Sequence, residues 1–213
     1  MTYKMEAPWP ELRPLFRYIN ELWDCKCLPD LHLLGLFPNA KELTESMAAY
    51  NALRSKVRAF DLGDPEVMLI AVADGSTPRT AALFAFRTAW QCISIDPRLK
   101  KLGWDVRRLT CWALRVEDCA PMHFGKLAIV AVHSHAPLDV ACEKFTAEQR
   151  VVVAMPCCVP QVRERPPDIE YWDRGVWSPE NKIKIWKDFQ EVNENERLER
   201  RVDRAMDSGG LGR

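Results

Sequence analysis

The stretch VMLIAVADGSTPRTAALFAFRTAWQCISIDPRL, Val67 to Leu99, decides the fold. It opens on seven apolar residues in a row, Val67 to Ala73, and breaks at Asp74-Gly75-Ser76-Thr77-Pro78. A mostly apolar helical pattern follows, and a second short apolar run ends on Asp96. The order is strand, tight turn, helix, strand. An unbroken apolar run suits a strand buried on both faces, as in a parallel sheet. Gly75 permits positive φ or close backbone approach. Thr77 or Ser76 reads as an N-cap, with Pro78 at the first helical position. Unpaired N–H groups at that helix end would favour an anion or polar ligand edge. Asp96 lies 96 − 75 = 21 residues after Gly75. In nucleotide-binding βαβ units an acidic residue about 20 residues on accepts from ribose hydroxyls.

The chain has 213 residues, enough for one domain with a substantial core plus extensions. Lys+Arg and Asp+Glu balance at 30 each, so no global field points to nucleic acid or to a membrane surface. No apolar run is long enough to span a bilayer, and Met1–Asn20 lacks a signal-peptide core. Cys92 and Cys111 fall inside strand-like runs, which suits reduced, buried thiols and a cytoplasmic, reducing setting.

Residues 1–64 carry short helical patterns broken by prolines, with Glu11–Trp23 and Ala40–Phe60 the clearest helices. Cys25-Lys26-Cys27 lacks the usual zinc-ligand spacing, and no metal is assigned. Arg54, Lys56 and Arg58 read as a solvated helix face. Beyond the opening unit, Arg107–Val116 reads as a third strand, Leu127–Val132 as a fourth and Arg150–Met155 as a fifth, with a short helix around Leu138–Phe145. Ile169–Trp177 and Lys182–Phe189 flank a turn and suggest a β-hairpin. Glu191–Met206 reads as a charged helix and Ser208–Arg213 as a disordered tail. The chain therefore divides into a helical N-terminal extension (1–64), an α/β domain with a mainly parallel, Rossmann-like sheet of five strands plus a C-terminal β-hairpin (65–190), and a charged C-terminal segment (191–213). Ligands of such sheets bind outside the carboxyl ends of the strands. Asp74–Thr77, Asp96, Glu117-Asp118, His133–His135 and Cys157-Cys158 each follow a strand and should converge on one rim.

This order of motifs resembles the class I S-adenosylmethionine-dependent methyltransferases over residues 65–190. Ala73-Asp74-Gly75-Ser76-Thr77 stands where that family has Gly-x-Gly-x-Gly, and only Gly75 of the glycines is kept. The resemblance implies S-adenosylmethionine as cofactor, with Ala73–Thr77 beneath it, Asp96 on the ribose and Asp118 on the adenine amino group. His133-Ser134-His135 and Pro156-Cys157-Cys158 are similar to a subgroup with His-x-Cys-Gly after strand four and Pro-Cys-Cys after strand five, although the Cys-Gly is absent here.

By chemistry alone, carboxylates suit hydroxyl and amino donors. Glu117 competes with Asp118 for the role after strand three. His133 and His135, two apart on one side of an extended segment, suit a general base, a metal pair or plain loop polarity. A metal pair would need Cys157 or Cys158 as third ligand. Adjacent cysteines ending a buried strand more commonly pack as small apolar residues. Three functions compete: a methyltransferase whose acceptor is a nucleic acid, a protein or a small molecule; a non-catalytic, partner-binding Rossmann-like module; and a nicotinamide-dependent oxidoreductase, which the missing Gly-x-Gly-x-x-Gly disfavours.

Overall fold

A computed structural model describes residues 9–158 and 163–189, with side chains described from Phe16 onward. The expected charged helix over 191–206 and the tail over 208–213 lie outside the described residues. Three helices come first: α1 (Trp9–Trp23), α2 (Leu28–Leu33) and α3 (Ala40–Lys56). The apolar run forms β1 (Val67–Val72), followed by α4 (Arg79–Arg87) and β2 (Gln91–Ile95). Then come β3 (Leu109–Trp112), a 3-10 turn over Val116–Asp118, β4 (Met122–Val132), α5 (Leu138–Lys144) and β5 (Phe145–Met155). The hairpin strands are β6 (Ile169–Trp172) and β7 (Lys182–Asp188).

The strands form one sheet in the order β3-β2-β1-β4-β5-β7-β6. The first five are mutually parallel, and β7 runs antiparallel to both β5 and β6. This is a Rossmann-like sheet with an appended hairpin, and β1 is central. The strand order reverses between β1 and β4, which puts the topological switch point at their carboxyl ends.

Side chains alternate across the sheet, as a two-residue period requires. Leu69, Ala71, Val130 and Val153 join one core with α1, α3 and α4. Ile70, Val72, Ile129 and Val152 join a second core against α5 and the 3-10 turn. The N-terminal helices thus share a core with one face of the sheet. Tyr18 of α1 is fully buried and donates to the Asp173 carboxylate, which also pairs with Arg17 at 2.8 Å. A β-carbon on Gly175 would lie 2.8 Å from the Tyr18 ring, so this docking needs glycine there.

The third strand is shorter than Arg107–Val116. Arg108 has φ 66° and turns its guanidinium onto the carbonyls of Ala85 (2.6 Å) and Thr88 (2.8 Å), at the end of α4. Strand geometry therefore begins only at Leu109. Conversely, β4 and β5 extend back to Met122 and Phe145, because the two pair along almost their whole lengths.

At the opposite edge from the switch point, Asp188 fastens β7 to β5. It accepts from Arg150 at 2.7 Å, Arg163 at 3.0 Å and Arg165 at 3.0 Å. Burial alone would raise its carboxyl, but donors from Arg163, Arg165 and Arg150 outweigh that and hold it at about 2. A carboxyl depressed on folding stabilises above its ordinary titration range and ceases to do so as pH falls. About 1–2 kcal/mol, allowing for solvent screening, should be lost between roughly pH 4 and 2. Urea unfolding across that range should show a shallower acid loss in Asp188→Asn than in wild type. Identical pH profiles would mean the cluster does not couple to folding.

Candidate functional site

A cleft of about 190 Å³ lies at the carboxyl ends of the central strands. Its floor comes from the ends of β1 (Val72, Ala73) and β2 (Ile95, Asp96). One wall is the segment after β3, Leu114 to Glu117, and the other is His135-Ala136 after β4. Of the strand-end residues expected to converge, Asp96, Glu117 and His135 line this cleft, while Asp74–Thr77, Asp118, His133, Ser134, Cys157 and Cys158 are not part of its lining. Val72, Ile95, Leu114 and Val116 make the apolar part of the lining, and Asp96, Arg98, Arg115, Glu117 and His135 the polar part.

Asp96 is 1% exposed. Its carboxylate accepts from the Gly75 amide at 2.8 Å and the Arg98 amide at 2.7 Å, with longer contacts from the Arg98 guanidinium at 3.3 and 3.4 Å. The Arg98 side chain is 75% exposed, so these long contacts can give way to a ligand hydroxyl. Gly75 has φ 94°. Ala73 has φ 55°, a left-handed backbone that glycine adopts without cost and alanine does not. Ala73 therefore holds the conformation of a motif glycine without being one.

Asp74 departs from the expected picture of the loop. It is buried, and its carboxylate accepts from the amides of Thr80 (2.9 Å) and Ala81 (3.0 Å) and from Ser94 Oγ (3.0 Å). The first-turn amides of α4 are thus bound by the chain's own carboxylate, and the anion edge expected there is already filled. The expected hydroxyl cap is also absent: Pro78 stands at the cap position, and Thr77 donates instead to the Leu36 carbonyl at 2.8 Å. Ser76 accepts at its carbonyl from the Lys100 amide at 3.1 Å. The Arg79 guanidinium lies over Gly75, where a β-carbon would collide with it, and pairs with Glu42 at 3.0 Å.

Of the two carboxylates after β3, Glu117 lines the cleft, while Asp118 is exposed on the 3-10 turn and is not part of the lining. The two histidines diverge. His133 has φ 47°, so the segment is not extended there and the expected shared side is lost. Its Nε2 is 2.9 Å from the Glu180 carbonyl and its Nδ1 is 3.4 Å from Glu45, which ties β4 to α3 and to the hairpin turn. His135 is exposed, lines the cleft and reaches Cys158 Sγ at 3.4 Å. The packing role expected of the adjacent cysteines fails too: Cys157 is half-buried and Cys158 exposed, because β5 ends at Met155 and the chain leaves the core. Buried thiols sit elsewhere; burial pushes Cys111 up to about 11 and raises Cys92 as well, which makes both unreactive. Among the described residues none of the eight cysteines is in a disulfide.

Sequence reasoning did not single out Leu114, Arg115 and Val116 as cleft residues. Their signal is positional, as the stretch between the third strand and the acidic pair.

No family model matches the sequence, and no curated protein matches it. Among solved structures, the chain is similar to a mutant of MtNAS in complex with S-adenosylmethionine, at 10% identity and TM-score 0.44, over 83% of this chain and 73% of that one. It is also similar to a cyclopropane-fatty-acyl-phospholipid synthase-like protein from Lactobacillus casei, at 15% identity and TM-score 0.37, over 61% and 57% of the two chains. A third is the plantazolicin methyltransferase BpumL in complex with SAH, at 7% identity and TM-score 0.35, over 68% and 59%.

If Asp74 holds the loop and α4 together, Asp74→Ala orphans two buried amides and a buried hydroxyl. The loss should be about 2–4 kcal/mol by urea unfolding. Asp118→Ala, on the exposed turn, should stay within about 0.5 kcal/mol of wild type. Equal stability of Asp74→Ala and wild type would show that the cap carries no weight.

Proposed function

We propose that the chain is an S-adenosylmethionine-dependent methyltransferase, with the adenosyl group in the cleft at the switch point. The observation that carries this reading is the Asp74 carboxylate on the first-turn amides of α4. A dinucleotide places its pyrophosphate at that helix end. Here a phosphate would meet a buried carboxylate and find the amides taken. The cleft therefore favours a nucleoside cofactor without phosphates and disfavours a nicotinamide dinucleotide.

The donor set suits an adenosyl group. Ribose hydroxyls and the adenine amino group are donors, and Asp96 and Glu117 are the carboxylate residues of a lining that also holds Arg98, Arg115 and His135. Asp96 takes the ribose, displacing the long Arg98 contacts. Glu117, rather than Asp118, reaches the adenine edge. Beyond Gly75 the amino-acid end of the cofactor would meet the Arg79 guanidinium, a fitting partner for its carboxylate.

The cofactor supplies the electrophilic methyl group of its sulfonium. The protein's part is to align an acceptor in line with that bond and exclude water. His135 stands at the cleft wall, where it can help to position an acceptor nucleophile. His133, held by Glu45 and the Glu180 carbonyl, positions the strand end. The acceptor is a nucleic acid, a protein or a small molecule, and the neutral overall charge selects none of them.

Calorimetry with S-adenosylhomocysteine, S-adenosylmethionine, NAD and NADP tests the proposal, with circular dichroism as the folding control. The wild type should bind the first two in preference to the dinucleotides. Asp96→Ala removes charge-assisted acceptors of about 1.5–3 kcal/mol each, so affinity should fall at least about tenfold. Glu117→Gln, which leaves the Gly75 amide bonded to Asp96, should weaken binding by less. Tighter binding of NAD or NADP, or equal affinity in wild type and a folded Asp96→Ala, would overturn it.

A further inference from the structure

Three soft ligands meet at the edge of the cleft. Cys157 Sγ and Cys158 Sγ are 3.7 Å apart, and Cys158 Sγ is 3.4 Å from His135 Nε2. All three ligand atoms lie within 4.8 Å of one another. Among the described residues this is the group of three or more His, Cys, Asp or Glu side chains gathered closely enough to share one ion. The Cys157–Cys158 and Cys158–His135 separations match those around zinc. With Zn–S about 2.3 Å, Zn–N about 2.05 Å and tetrahedral angles, paired sulfurs sit about 3.8 Å apart and a sulfur and nitrogen about 3.6 Å apart. Two thiolates and an imidazole select a soft or borderline cation over calcium or magnesium.

We propose that His135, Cys157 and Cys158 bind one Zn²⁺ ion at the wall of the cleft. Three protein ligands leave the fourth tetrahedral position open, as in catalytic rather than structural zinc sites. His135 lines the cleft, so that position lies beside the space given to the adenosyl group. A thiol, hydroxyl or water bound there loses its proton at a lower pH than in solution, which is what an acceptor nucleophile needs. Binding deprotonates both cysteines, so their two protons pass to solvent as two sulfur–zinc bonds form. The backbone supports the cluster. The left-handed turn at His133 separates the two histidines, and the end of β5 at Met155 brings Cys157 and Cys158 to the same rim. The site stands on its own ligands and does not require the cofactor reading.

The test uses the full chain, reduced and stripped with a chelator, then titrated with Co²⁺ and afterwards with Zn²⁺. One Co²⁺ per chain should bind with a thiolate-to-cobalt charge-transfer band and tetrahedral d–d bands, and Zn²⁺ should abolish both. Cys157→Ser, Cys158→Ser and His135→Ala should each weaken Zn²⁺ binding by more than about a hundredfold, beyond the 10–100-fold of an outer-shell change. Cys25→Ser, Cys27→Ser and Asp96→Ala should leave the bands intact, which separates this site from the Cys25-Lys26-Cys27 loop and from the cofactor reading. Octahedral cobalt without thiolate bands would overturn the proposal. So would unchanged binding in folded Cys158→Ser, a Cys157–Cys158 disulfide surviving reduction, or loss of the bands in Cys25→Ser.

Discussion

The Asp74 carboxylate is the contact on which the site depends. It sits at the end of the central strand, binds two amides of α4 and takes a hydrogen bond from Ser94 of β2. One side chain therefore joins all three parts of the β1-α4-β2 unit. At the other end of α4, the Arg108 guanidinium covers the carbonyls of Ala85 and Thr88. An anion at the N-terminus and a cation at the C-terminus both complement the helix dipole. Because the anion is internal, these first-turn amides of α4 are satisfied without an external anion.

The same arrangement shapes the loop that follows β1. Ala73 takes the left-handed backbone, Gly75 is retained where its amide meets Asp96, and Arg79 occupies the space above Gly75. Left-handed residues cost on the order of 1–3 kcal/mol and persist where surrounding structure imposes them. Ala73 and His133 are two such residues at the ends of neighbouring central strands β1 and β4. Ala73 lines the cleft, and His133 precedes the segment His135-Ala136 that forms one wall of it.

The fold was legible because its signals are strong and local. The Val67–Ala73 run, the apolar stretches ending at Val132 and Met155, and the turn chemistry before Lys182 each specify one element. Asp96 was legible by its distance from Gly75. Side-chain direction was not. No sequence pattern distinguishes an Asp74 facing a ligand from one folded back onto α4. The divergence of His133 and His135 follows from one backbone angle that residue type does not reveal. Glu117 and Asp118 differ only in their place on a 3-10 turn that reads as the end of a strand. Cys157 and Cys158 read as packing residues because the strand before them is buried; the strand end at Met155 was legible, but the exposure of the two thiols beyond it was not.

The central claim is that the cleft accepts an adenosyl group while α4 rejects a phosphate. A crystal structure with S-adenosylhomocysteine tests it most directly. The account predicts ribose hydroxyls on Asp96, adenine in the cleft beside Val116 and Glu117, and Asp74 still bound to the amides of Thr80 and Ala81. Ligand density outside this cleft, or an Asp74 carboxylate released from α4 to contact the ligand, would contradict it.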